Sequence, residues 1–203
     1  AEELEPIATT NLPVKEIKVA NKDVYKSNVS VIASGDERFA IGSRDGVFSI
    51  TDLQGKMMAS YKFPRPVSAI TSVQTPSGLF WAVATAASGD GKVYYLNSEA
   101  EIVWEKKIPV YQKRNGTVTT LFTANVGDLT GPAIIAGSEA WHYYAFSVSG
   151  KQLWKQTIFH GATLGAAGDM DGNGVDDIAA GSEYYYHSII QNGKVLPHKV
   201  TSP

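Results

Sequence analysis

Short apolar runs recur along the chain, about four to eight residues each and separated by clusters of Gly, Asp, Asn and Ser. No segment sustains the 3.6-residue spacing of an amphipathic helix. Three of the runs share one design, an apolar strand ending in small residues: Ala40-Ile41-Gly42-Ser43, Ala133-Ile134-Ile135-Ala136-Gly137-Ser138 and Asp177-Ile178-Ala179-Ala180-Gly181-Ser182. Trp81-Ala82-Val83-Ala84-Thr85-Ala86 is a looser version. After each comes a turn, an aromatic-rich strand, a second turn and a strand that alternates polar with apolar. The pattern predicts an all-β chain with scarce helix.

The second turns align into a repeat. Gly55, Ala100, Gly150 and Gly193 fall at equivalent places in Asp52 to Lys56, Asn97 to Glu101, Ser147 to Lys151 and Gln191 to Lys194, at intervals of 45, 50 and 43 residues. Trp104 and Trp154 stand four positions after two of these residues, where the other two repeats carry Ala59 and Pro197. One complete repeat reads Val118 to Asn125, Ala133 to Ser138, Tyr143 to Val148 and Gln152 to Thr157. Four short antiparallel strands make one blade of a β-propeller. The expectation is therefore a propeller or partial propeller of about four blades, bounded near 28–66, 67–117, 118–161 and 162–203. Residues 1–27 hold Pro6, Pro13 and a possible strand from Val14 to Val19, and read as a tail or a closing strand. Four blades either close a ring or form an arc that further blades or another chain complete.

Composition narrows the function classes. Eighteen Lys and Arg against 20 Asp and Glu supply no broad positive field, so nucleic acid is not expected as a partner. No run of 18 apolar residues is present, so no membrane span is expected. The absence of cysteine excludes disulfides, thiol catalysis and thiolate metal sites. The start Ala1-Glu2-Glu3 suits a mature chain after removal of a leader, and the expected location is secreted, periplasmic or cell-surface.

The most specific motif is Asp169-Met170-Asp171-Gly172-Asn173-Gly174-Val175-Asp176-Asp177. A hard cation such as calcium takes six to eight oxygens, which alternate positions of a tight loop can aim inward. Asp169, Asp171, Asn173 and Asp177 fit the side-chain ligand positions, the Val175 carbonyl fits the backbone one, and Asp176 is expected to point outward. Val126-Gly127-Asp128-Leu129-Thr130-Gly131-Pro132 begins alike but lacks the later acids, and no metal is expected there. The loop resembles the calcium loop of FG-GAP/VCBS-type repeats, and Gly150-Lys151-Gln152-Leu153-Trp154 resembles the Gly-Lys-x-x-Trp turn of quinoprotein-like (PQQ-like) propeller repeats. The first resemblance implies a bound calcium ion. The second implies the propeller fold, without the extra residues that a bound quinone (PQQ) needs, so calcium is the one cofactor expected.

Aromatics, histidines and acids gather at the turn between the second and third strands, in Glu139-Ala140-Trp141-His142-Tyr143-Tyr144 and Glu183-Tyr184-Tyr185-Tyr186-His187. Glu139, Trp141, His142, Glu183, Tyr185 and His187 are the candidate ligand-binding residues, with Arg44 at the same place in the first repeat. Aromatic faces can stack on sugar rings while His and Glu bond hydroxyls. This supports a carbohydrate- or protein-binding scaffold module. The alternative is a polysaccharide lyase, with His142 or His187 as base, Tyr143 or Tyr185 as proton donor and Arg44 neutralising a uronate. His160 shows no partner in the sequence.

Overall fold

The strands follow the alternation, and each pairs only with its neighbours in sequence. The computed structural model describes residues 29–127 and 131–196, so the expectations placed on residues 1–27, on Asp128 and on Pro197 to Pro203 lie outside the described residues. Blade 1 is β1 (Val29–Gly35), β2 (Arg38–Ser43), β3 (Val47–Asp52) and β4 (Met57–Lys62). Blade 2 is β5 (Val67–Thr75), β6 (Gly78–Thr85), β7 (Gly91–Leu96) and β8 (Ile102–Ile108). Blade 3 is β9 (Val118–Ala124), β10 (Ala133–Ser138), β11 (His142–Phe146) and β12 (Gln152–Thr157). Blade 4 is β13 (Ala162–Gly168), β14 (Asp177–Ser182), β15 (His187–Gln191) and β16 (Lys194–Val195). Each blade is an antiparallel four-stranded meander. One 3₁₀ turn, Glu183–Tyr185, is the helical element among the described residues.

The position of a strand within its blade explains its composition. Every residue of β10 and β11 is buried, because both faces of a middle strand lie between neighbouring blades. The outermost strands β8 and β12 alternate in exposure along their length, as amphipathic strands with one solvated face do. Successive innermost strands β1, β5, β9 and β13 stand side by side, and three apolar cores fill the spaces between blades. Phe48, Ile50, Trp81 and Leu96 lie in the first, Val93, Ile134 and Phe146 in the second, and Ile135, Tyr143 and Ile178 in the third. Each such side chain contributes about 1.5–3 kcal/mol on leaving water. The four blades form an arc: β1 has no packing against β13 comparable to that between adjacent blades.

Two specific contacts lock neighbouring blades. Tyr143 is fully buried, and its hydroxyl is placed 2.6 Å from the Leu164 carbonyl and 3.0 Å from the Gly181 carbonyl of the next blade. The second lock explains the Gly and Trp spacing of the repeat. Gly150, at φ +81°, lies against the Trp104 ring of the preceding blade, and a Cβ there would stand 3.1 Å from the ring; Gly193 lies against Trp154 in the same way, with a Cβ at 2.7 Å. The indole N–H of Trp104 also donates to the Val148 carbonyl at 2.9 Å. Blade 2 carries Ala100 at the glycine position, at φ +61°, and the residue in the tryptophan place before it is Ala59. A small residue on one blade thus permits a Cβ on the next.

This lock predicts a non-additive pair. Gly150→Ala alone should cost about 1–3 kcal/mol, from strain at positive φ and crowding of the indole. In a Trp104→Ala background the same change should cost less by at least about 0.5 kcal/mol. Denaturant unfolding of the two single variants and the double variant checks this, and strict additivity would refute the lock.

Candidate functional site

A meander places alternate turns at opposite ends of a blade, and this decides what can converge. The β2–β3, β6–β7, β10–β11 and β14–β15 turns share one end with the connections between blades. Backbone bonds tie them there: Phe63 N–H to the Gly46 carbonyl, Gly116 N–H to Gly89, Glu139 N–H to Thr117 and Glu183 N–H to Gly161, at 2.7–2.9 Å. Glu139, Trp141, Glu183 and Tyr185 sit at this mouth end over blades 3 and 4, and Arg44 is exposed at the same end of blade 1. The Asp169–Asp177 loop joins β13 to β14 and therefore lies at the far end.

Over blades 3 and 4 the mouth carries a continuous aromatic cluster. Tyr111 touches Trp141 and His142 with ring centroids 6.3 and 4.6 Å apart, Trp141 meets His160 at 5.1 Å, and His160 meets Tyr184 at 4.8 Å and Tyr186 at 5.3 Å. Phe159 adds an edge against Tyr186 at 6.1 Å. Tyr184, Tyr185, Tyr186 and Phe159 are exposed, Tyr185 completely so. Arg114 of the connection entering blade 3 pairs with Glu183 at 2.9 Å, and the Glu183 carboxylate also faces the Gly161 N–H. Gln112, Lys113, Trp141, His160, Tyr184 and Tyr185 all have φ between +51° and +65°, so six of the ten non-glycine residues with positive φ among the described residues gather at this one end. For bulky side chains that conformation is strained, and such strain concentrates at functional sites. The Trp141 indole N–H is buried without a hydrogen-bond partner.

Three of the expected site residues are placed differently from the others. His142 begins β11, is 3% exposed and has its Nδ1 against the Ala140 carbonyl, because strand alternation turns it beneath Trp141. Tyr143 points into the core toward blade 4, where burial pushes its hydroxyl well above the usual phenol range. Neither can serve a substrate as base or proton donor from these positions. His187 opens β15 opposite Gly181 and is exposed on the outward face of blade 4. In contrast, Tyr111, Arg114, Phe159, His160, Tyr184 and Tyr186 join the site without having been singled out. Five lie in connections or turns that meander parity assigns to the mouth end, and this was the available signal; Tyr186 directly follows the last of those turns.

At the far end the acidic loop curls around its own backbone. The Asp169 carboxylate accepts the Asn173 and Gly174 N–H groups at 2.9 and 2.8 Å, Asp171 accepts Asn173 N–H at 3.2 Å, and the Asn173 side-chain oxygen accepts Val175 N–H at 2.8 Å. Gly172 and Gly174 take the positive φ the curl requires. Asp176 points away from the loop: its carboxylate accepts the Asn125 N–H at 2.7 Å, and Asn125 returns a bond from its side-chain amide to the Gly174 carbonyl at 3.0 Å. Asp177 is 2% exposed, with the Met170 N–H at 3.3 Å as its donor. Among the described residues no three acidic or imidazole side chains already form a ligand cluster. The donor set fits a hard cation nonetheless, since a buried carboxylate with one long hydrogen bond lacks a counter-charge and the other donors are oxygens.

Two concavities lie outside the aromatic cluster. One of about 320 Å³ sits between blades 3 and 4 at the far end, against Trp154, Val175 and Asp176. The other, of about 200 Å³, sits at the mouth end between blades 1 and 2 and is lined by Arg65, Asp90, Lys92 and Tyr94.

No family model matches the chain, and no curated protein matches it. The quinoprotein-like and FG-GAP/VCBS resemblances therefore rest on their motifs alone. Solved structures do match. BBS1N, crystallised in complex with ARL6DN, aligns with a TM-score of 0.61 and 13% identity over 83% of this chain and 51% of that one. The WD40 β-propeller domain of Doa1 aligns with a TM-score of 0.59 and 15% identity over 84% and 53%. A protein of unknown function from Bacteroides caccae aligns with a TM-score of 0.55 and 10% identity over 83% and 59%. The chain has a β-propeller fold, and it spans between half and three fifths of the length of these structures.

The buried histidine gives a pH dependence with a definite sign. Burial holds His142 below the usual imidazole value, with the charge of Lys155 acting in the same direction and the Ala140 carbonyl opposing both. The unfolded chain therefore takes the proton first. The contribution of His142 to stability is complete above its unfolded value near 6.5 and is lost as pH falls below it toward the folded value. Between pH 7.5 and 5 the native protein should lose at most about 1.4 kcal/mol per pH unit from this group, and His142→Gln should flatten that slope. Urea midpoints measured across the range check the expectation, and equal slopes for both proteins would contradict it.

Proposed function

We propose that the chain is a non-catalytic binding module of an exported propeller protein, that it presents the Trp141, Tyr184, Tyr185 and Tyr186 rim to carbohydrate, and that calcium holds its far-end loop. The observation that carries the ligand reading is the gathering of strained, exposed aromatic residues at one end of blades 3 and 4. Flat aromatic faces stack on sugar rings, and Arg114 with Glu183 supplies a charged pair beside them. A protein ligand is the second reading, supported by the complex in which BBS1N was crystallised. The enzyme alternative loses two of its four candidates, because His142 and Tyr143 are occupied inside the blade packing, whereas His187 and Tyr185 are exposed.

In the calcium reading, Asp169, Asp171, Asn173, Asp177 and the Val175 carbonyl hold the ion, which supplies charge neutralisation and no chemistry. The chain's own residues do the positioning: Asp176 and Asn125 clamp the loop to blade 3. Loops of this kind in extracellular modules bind at about 10⁻⁴–10⁻³ M, which suits an exported protein.

Two measurements test the proposal. On an oligosaccharide array, the Tyr184→Ala/Tyr185→Ala double variant should lose about tenfold or more in binding, the scale of one or two aromatic stacks. Retained binding would reject the rim. In calorimetric melting, calcium at about a hundred times its dissociation constant should stabilise the protein by about 2.7 kcal/mol. Asp171→Ala should abolish that gain, whereas Asp176→Ala should lower the midpoint with and without calcium and keep the gain. Equal midpoints for the unaltered protein with calcium and with chelator would rule the site out.

A further inference from the structure

Equivalent positions in the four blades have unequal surroundings. Strand register aligns Gly42 with Phe48, Ala84 with Val93, Gly137 with Tyr143 and Gly181 with His187. Phe48, Val93 and Tyr143 are each fully buried in the core shared with the following blade, while His187 is exposed. The next pairs along the same face are Ala40 with Ile50, Ala82 with Tyr95, Ile135 with Ala145 and Ala179 with Ile189. The first three pairs are buried; Ala179 and Ile189 are half-buried, and Leu164 beside them is 68% exposed. Blade 4 thus ends a series of three interfaces with a fourth face of the same construction.

The face also has a specific likeness. Ala179, Gly181, His187 and Ile189 stand where blade 1 has Ala40, Gly42, Phe48 and Ile50, so three of the four residue types are identical and the fourth exchanges one flat ring for another. In blade 1 that set receives the large side chains of blade 2, Trp81, Val83 and Leu96. The small residues on β14 leave the depth that a tryptophan-sized side chain fills, and His187 holds the position from which Tyr143 reaches two backbone carbonyls of its neighbour.

We propose that the outward face of blade 4, formed by Leu164, Ala179, Gly181, His187 and Ile189, seats a further blade of the blade-2 type. The occupant is a four-stranded antiparallel sheet with large apolar side chains at the Trp81, Val83 and Leu96 positions, and the contact continues the blade-to-blade packing of the chain. His187 is on this account an inter-blade residue and not a ligand-binding one. The proposal does not rest on the carbohydrate reading.

The test extends the full chain with a copy of its own residues 67–117 after Pro203. The connection from Val195 would then be eight residues, within the range of four between Lys62 and Val67 and nine between Ile108 and Val118. The expected result is at least tenfold slower amide exchange in 162–168 and 177–191 than in the parent chain, with one cooperative melt. Leu164→Asp should leave the parent's melting unchanged, since the side chain is exposed, and should abolish the added protection. His187→Phe should preserve it. Unchanged exchange on adding the blade would overturn the proposal, as would protection that survives Leu164→Asp. Self-association of the parent chain that Leu164→Asp abolishes would assign the face to a second copy and overturn it equally.

Discussion

A sheet with two apolar faces is stable only between two neighbours, and every other feature of this chain follows from that constraint. The middle strands of blade 3 are buried along their whole length because they are covered from both sides. Small residues at the ends of β2 and β10 let neighbouring sheets approach closely: Ala40 shares a core with Trp81 and Leu96 of the next blade, and a Cβ on Gly137 would stand 2.8 Å from Ala162 of the next blade. Polar locks then fix the spacing that apolar contact alone leaves loose. The Tyr143 hydroxyl between two carbonyls and the Trp104 indole over Gly150 each make one blade's backbone part of the next blade's surface.

The same scaffold separates two kinds of chemistry. Parity of turns sends the aromatic cluster to one end and the acidic loop to the other, so the two share blade 4 without sharing space. Left-handed conformations at Trp141, Tyr184 and Tyr185 are held by the strands that flank them, which anchor each short turn by ladder hydrogen bonds. Between the two ends run β14 and β15, whose backbone bonds connect the Asp177 end of the blade to the Tyr186 end.

The architecture was legible because its determinants are local and repeat. Spacing of Gly55, Ala100, Gly150 and Gly193, and of Trp104 and Trp154, reflects a contact that recurs from blade to blade, and even the exceptions Ala59 and Ala100 compensate each other across one interface. The acidic loop was legible for the same reason, since its donors are close in sequence. The mouth was only half legible. Whether His142 or Trp141 faces outward depends on a one-residue phase in the strand, which composition does not reveal. Tyr111, Arg114 and His160 belong to connections with no repeated motif, and only the register of the sheets brings them to Trp141 and Glu183. His187 resembled Trp141 and His142 in its neighbourhood of sequence, yet its pairing with Gly181 assigns it to a face and not to a rim.

Because each described strand pairs only with the strand before and after it, among the described residues no segment is threaded between two others and no crossover joins distant sheets. A whole blade can be duplicated or deleted without disturbing the pairing inside any other blade. The unit of change in such a gene is therefore a stretch of some forty to fifty codons rather than a single substitution, in keeping with the intervals between its repeated turns. Lineages that gain or lose a unit would alter the circumference of the molecule while inheriting its joints intact.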